Sequence, residues 1–379
     1  MFNKIPALIL TMLFISVVGL KLGATEIEHE KSRRERISES VKFAFGNLAY
    51  MDIRIRGAQM GGEARFYFEA YNPPEYGGHI ESELLWPLDN LWTGAEVTIG
   101  VKAAPYLDMA RLSFVWLTKL DRSAGKMEDS DWIEKDVEYI NTIYDLADDD
   151  SLNGSAVPPF TPWYHPGKDI YSTSDARLDY GSFLDINYTY NVVAGDIMGL
   201  GVVGGWRRFA LRSSSWNLDQ VGYGPYGPEY MDLSYKDTLN WKWIVYEIEH
   251  KIPYLGVSAD WAFSRVRLGL QFKYSDWVEI KDKDTHLYPD EDASMGYNHD
   301  MVSKGKCTGR SWMASLSFGF NPLSNWWLWI YGEYLDVETE GTIFQEHYLD
   351  GELVAKTDEC KHTVNSYVWH VGVTLSCRF

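Results

Sequence analysis

Residues 367–379, YVWHVGVTLSCRF, alternate without a break. Tyr367, Trp369, Val371, Val373, Leu375, Cys377 and Phe379 fall on one side; His370, Gly372, Thr374, Ser376 and Arg378 fall on the other. A period of two with the apolar residues together is a strand with two unlike faces. Residues 266–274, VRLGLQFKY, repeat the pattern, with Val266, Leu268, Leu270, Phe272 and Tyr274 against Arg267, Gln271 and Lys273. Histidine and arginine on one face suit a polar lumen, and the apolar face suits lipid. The pattern predicts strands near 41–52, 79–102, 107–120, 176–193, 198–212, 236–256, 264–281, 311–321, 326–344 and 364–379. Connections at 103–106, 194–197, 257–263 and 322–325 are short, whereas those at 53–78, 121–175, 213–235, 282–310 and 345–363 are long. Short inner turns alternating with long outer loops are the rhythm of an outer-membrane barrel. The expected fold is therefore all-β, a ten-stranded antiparallel transmembrane β-barrel with long extracellular loops. Several strands exceed the roughly 9–11 residues needed to cross, so the barrel should project above the membrane.

The N-terminal end has a different character. Lys4, an apolar run over 5–20 and the small-residue pattern Leu22-Gly23-Ala24 form a secretory signal peptide, residues 1–24. A charged extension without apolar periodicity follows at 25–40, and the barrel is expected over 41–379. The 16 Trp, 25 Tyr and 16 Phe exceed what a soluble sandwich needs and suit interfacial aromatic belts. Removing Lys4 and Lys21 with the leader takes the formal charge from −19 to about −21, a field that repels nucleic acid and favours basic partners. Three cysteines are too few for a disulfide scaffold, though an oxidising compartment would allow one bridge between Cys307 and Cys360. Nothing has the spacing of a zinc site, and no metal is expected.

Two acid-rich stretches carry the candidate chemistry. Asp129 and Asp131 stand one residue apart in GKMEDSDWIEKD, and Asp284 and His286 have the same spacing in EIKDKDTHLYPD. Both fall on outer loops of the expected barrel, at the same rim. Opposed across the mouth they could hold a water between them. His286 would take the water's proton and Asp284 would fix the imidazole and stabilise its cation. The like charges of Asp129 and Asp131 would let one of them keep a proton. That is a peptide hydrolase with neither a nucleophilic side chain nor a metal.

The residues around these positions resemble the omptins, ten-stranded outer-membrane proteases. KMEDSDW is similar to the family's Asp-x-Asp-Trp loop. FKYSDWVEIKDKDTHLY is similar to its Phe-Lys-Tyr-Ser-x-Trp-Val-Glu strand and following Asp-x-Asp-x-His. KIPYLG at 251–256 and LDYGSFLDIN at 178–187 match two further family stretches. The resemblance implies an aspartic-type endopeptidase of the bacterial outer membrane, its site facing the exterior, with Asp129, Asp131, Asp284 and His286 in the catalytic positions. Omptins generally cut beside basic residues using acidic pocket walls. The alignment sets Asp282 at one of those walls and Asp169 at another, on the far side of the bond. The family's first-loop Glu falls near either Glu63 or Arg65. The implied partners are a peptide or protein at the cell surface and outer-membrane lipid. No cofactor is implied beyond lipopolysaccharide, which omptins need. Glu249, however, stands at the position of a family Arg, and an acid cannot bind a lipid phosphate as Arg does. Arg207, Arg208 and Arg212 could compensate. The competing readings are a barrel of this ancestry that binds without cutting, and a small porin.

Overall fold

The computed structural model describes residues 49–71, 79–102, 107–134, 170–222, 235–237, 240–288, 299–323 and 325–379. The strands are β1 (Ala49–Tyr71), β2 (His79–Pro87), β3 (Asn90–Lys102), β4 (Asp108–Lys119), β5 (Ser123–Glu134), β6 (Ile170–Ala194) and β7 (Met198–Gly222). They continue as β8 (Tyr235–Lys236), β9 (Lys242–Phe263), β10 (Val266–Tyr288), β11 (His299–Leu323), β12 (Trp326–Leu349), β13 (Glu352–Lys356) and β14 (Cys360–Arg378). β2 runs on into β3 and β4 into β5, each pair acting as one long, interrupted strand. The hydrogen-bonded order β1–β3–β4–β6–β7–β9–β10–β11–β12–β14 returns to β1, antiparallel at every step, so ten strands close on themselves. Phe379 completes the closure: its N–H donates to the Met51 carbonyl at 2.8 Å, and the Met51 N–H donates back at 3.2 Å.

The alternation sorts side chains as the sequence predicts. Val371, Val373 and Leu375 point outward and are about half exposed, while His370, Thr374 and Ser376 point into the barrel and are buried. Exposed Tyr274, Trp277, Trp312 and Trp369 mark an outward aromatic belt above the apolar band. Inside, charge is matched with charge. Arg207 donates to Asp185 at 2.7 Å and lies 2.6 Å from Glu333, and Arg54 and Arg56 both reach Glu96. Toward the outer end the lumen is plugged by Met60, Trp86, Trp92, Phe209, Ile252 and Met313, all almost fully buried.

The boundaries differ from the sequence expectation in one consistent way. Much of what reads as outer loop is strand: 53–71, 123–134, 213–222, 282–288 and 299–310 all lie on ladders. Above the membrane the outward face need not be apolar, so the hydrogen-bond ladder continues after the alternation has faded. The strand before the third inner turn likewise runs to Phe263, not 256. Its Ser258 and Asp260 read as turn residues but face the polar lumen, where Asp260 accepts from Arg111 at 3.0 Å. Residues 1–40, and the stretch 41–48 expected to open the first strand, lie outside the described residues.

The three cysteines are free, so no bridge joins Cys307 and Cys360. Cys307 is buried inside β11, opposite Gly341, whereas Cys360 pairs with Ile343 on the far edge of β12. Their thiols donate to different carbonyls, those of His362 and Asp358 respectively.

Candidate active site

Asp284 and His286 reach the lumen because β10 changes parity. Before Ser275 the odd residues point inward, as buried Lys273 and Ser275 show; after Val278 the even ones do, as Val278, Ile280, Asp282 and Asp284 show. The switch is a β-bulge between Ser275 and Val278 that leaves Asp276 and Trp277 both facing out. The Trp277 N–H donates to the Ser275 hydroxyl at 3.1 Å across it. Were the alternation to run on unbroken past Ser275, the inward set would be Lys281, Lys283 and Thr285.

Asp129 and Asp131 are delivered by a second irregularity. β5 shifts register between Ser123 and Gly125, where Gly125 takes φ +100°, a conformation that side-chain-bearing residues rarely adopt. Beyond it Met127 is fully buried, and Asp129 and Asp131 share its parity. Neither carboxylate is on a loop: Asp129 pairs with Leu84 and Ser172, and Asp131 with Ser82 and Ile170. Around the ring, β6, β7 and β9 separate β5 from β10 on one side, and the longer way round lies on the other. The two acid pairs therefore face each other across the outer end of the barrel.

Each patch lies close enough to act on the other's charge. His286 Nε2 lies 2.7 Å from Asp284 Oδ2; the Asp284 side chain is 2% exposed and the imidazole 19%. Burial alone would lower the His286 pKa, but Asp284, followed by Asp129 and Asp131, more than offsets it and raises the value to about 9. Asp129 is pushed well above the usual carboxylate range by burial and then by Asp131, against the opposing pull of His286. Asp129 Oδ1 and Asp284 Oδ1 are buried without a hydrogen-bond partner among the described residues. Beside them the Trp86 and Tyr246 rings stack at 5.6 Å and 10°, Tyr246 being the β9 partner of Asp284.

The remaining expectations meet different fates. Asp282 points inward beside the dyad, but its side chain is fully buried and bonded to His362, whose Nε2 lies 3.1 and 3.2 Å from the two carboxylate oxygens. It is thus not an open pocket wall. Asp169 lies outside the described residues. Glu63 and Arg65 share the outward parity of β1, where Arg65 is 3.5 Å from Glu83; the inward residue between these positions and the mouth is buried Phe66. Glu249 lies on the outer surface of β9, clasped by Arg208 and by Lys251 at 3.4 Å. Arg207 is buried inside the barrel and does not join that surface.

His362, Tyr246 and Trp86 are site neighbours that sequence reasoning passed over. His362 shares its parity with Val364, Ser366 and His370, so its inward direction could have been found by the period-two pattern. Its partner on β10 could not.

The Omptin family model matches residues 60–372. Protease 7 of Escherichia coli K12 is 25% identical over 228 residues, and outer membrane protease OmpP of the same strain is 25% identical over 217. Those matches cover 57% and 56% of this chain, and the chain spans only 58% of the length of each relative. The crystal structure of OmpT from Escherichia coli superimposes with a TM-score of 0.66 at 17% identity, covering 87% of this chain and 97% of that one.

Proposed function

Because this chain belongs to the omptin family, we propose that it is an outer-membrane endopeptidase that cuts peptides at the cell surface with a water held between His286 and the Asp129–Asp131 pair. The observation that carries the reading is the 2.7 Å His286–Asp284 contact facing a buried carboxyl whose affinity for a proton is raised. With Nε2 bonded to Asp284, Nδ1 is the nitrogen that takes the proton. The working state has the proton on Asp129 and a lone pair on His286. As the water oxygen bonds to the peptide carbon, its proton passes to His286, and Asp129 hydrogen-bonds the carbonyl oxygen. Breaking of the C–N bond returns the proton from His286 to the departing amine. Asp284 stays ionised and stabilises the imidazolium formed midway. No cofactor takes part in these steps.

Lipid is the second partner on this reading. A lipopolysaccharide phosphate would have to draw Arg208 and Lys251 away from Glu249, so the dependence on that lipid is reduced here. Rates in detergent alone should fall within about tenfold of those with lipopolysaccharide added.

The test is kcat/KM on a quenched peptide for purified, folded protein. His286→Ala should abolish cleavage, and Asp129→Asn and Asp284→Asn should each lower it by about 10²–10⁴-fold. Cleavage at the unsubstituted rate by His286→Ala would leave a barrel that does not use this site for hydrolysis.

A further inference from the structure

Directly below the dyad lies a second pair of the same kind. Asp282 is the inward residue two positions before Asp284, one pleat deeper in the mouth. His362 reaches it from β14, and both side chains are completely buried. Each imidazole nitrogen faces an acceptor: Nε2 the Asp282 carboxylate at 3.1 Å, and Nδ1 the Tyr67 carbonyl at 2.8 Å. A ring that donates from both nitrogens is a cation.

The surrounding fold is shaped to hold that cation. Gly305, the β11 neighbour of Asp282, leaves the space the pair occupies; a Cβ there would come within 2.4 Å of Asp282 Oδ1 and 2.6 Å of His362 Nε2. The Phe66 ring packs 4.6 Å from the His362 ring, and Tyr246 stands edge-on to Phe66 at 5.7 Å. A carboxylate beside the cutting groups is where a substrate's lysine or arginine would be received, yet here a charge from within the protein already fills it.

We propose that His362 determines specificity, its imidazole occupying at Asp282 the place a substrate's cationic side chain would need, so that the site accepts a neutral residue beside the bond it cuts. This rests on the protease reading above. A lysine or arginine entering there would have to break a buried pair and strand a charge, which disfavours it by on the order of a hundredfold.

The experiment digests a peptide library with the full, folded protein in detergent and reads the residues flanking each cut by mass spectrometry. The unsubstituted protein should cut with neutral residues on one side of the bond, the side Asp282 serves, lysine and arginine being depleted there. His362→Ala leaves Asp282 single and should turn the profile toward lysine and arginine by tenfold or more, on the order expected for a newly exposed acid. The double variant His362→Ala, Asp282→Asn should return it to neutral residues. If His362→Ala does not fold, His362→Gln, which keeps a donor but no charge, should shift the profile the same way by a smaller factor. Lysine or arginine accepted on both sides of the bond by the unsubstituted protein, or a profile unmoved in the variants, overturns the proposal while leaving the protease reading intact. No cutting of any peptide overturns the protease reading, and this proposal with it.

Discussion

At the scale of the single residue, the proposed mechanism makes the proton on His286 decide when the site works. A base must be neutral to accept a proton, and the surrounding carboxylates hold this imidazole's pKa at about 9 despite burial. The rate should therefore climb with pH toward about 9 while Asp129 keeps its proton, and fall away below it, which a pH profile of kcat/KM reads directly. Asp284→Asn removes the largest of the raising influences, so its limb should move to lower pH while its plateau drops. The same raised values set the sign of the stability effect. The contacts of protonated His286 and His362 stabilise the fold fully below the ordinary histidine value of 6.5. They are lost as pH rises through about 9 for His286 and about 10 for His362. Hydrogen exchange at the outer ends of β10 and β14 should quicken across that window.

At the scale of the element, one extra residue in β10 separates a structural strand from one that carries chemistry. Up to Tyr274 the strand places apolar residues on lipid; beyond Trp277 it places acids and a histidine in the lumen. Deletion of Glu279, just beyond the bulge, slides the outer part of β10 by one residue and turns Asp282, Asp284 and His286 outward. The membrane-crossing half of β10 keeps its pairing with β9 and β11, so the expected product is a folded, heat-modifiable barrel without detectable cleavage. Gly125 does the same service in β5, and its positive φ is why a residue with a side chain would not serve there.

At the scale of the whole molecule, the barrel is a support and not a channel. Met60, Trp86, Trp92 and Met313 plug its lumen toward the outer end, and the paired charges of Arg207, Asp185 and Glu333 line the level beneath. In a planar bilayer the protein should show no stepwise conductance of the porin kind, which disposes of that reading by direct measurement. Cys307, fully buried behind His362, should resist a thiol reagent in the folded state and react after unfolding, and reduction should not change gel mobility, since no cysteine is bridged.

The sequence alone determined the architecture and its orientation. Period-two alternation is a local property, and a lipid-facing side must be apolar at every second residue, so strand identity, facing and the short–long rhythm of connections were all legible in it. The candidate residues Asp129, Asp131, Asp284 and His286 could be picked out too, because they stand in long motifs. The outer ends of the strands were not, since above the membrane both faces are polar and the alternation that marks a strand disappears while its hydrogen bonds persist. Tertiary structure alone decided which residues meet: that bulges turn Asp284 and His286 inward, that β5 lies across from β10, and that His362, separated from Asp282 by 80 residues, neutralises it. Closure of a ring sets those encounters, and a pattern that repeats every two residues carries no record of which strand will stand opposite.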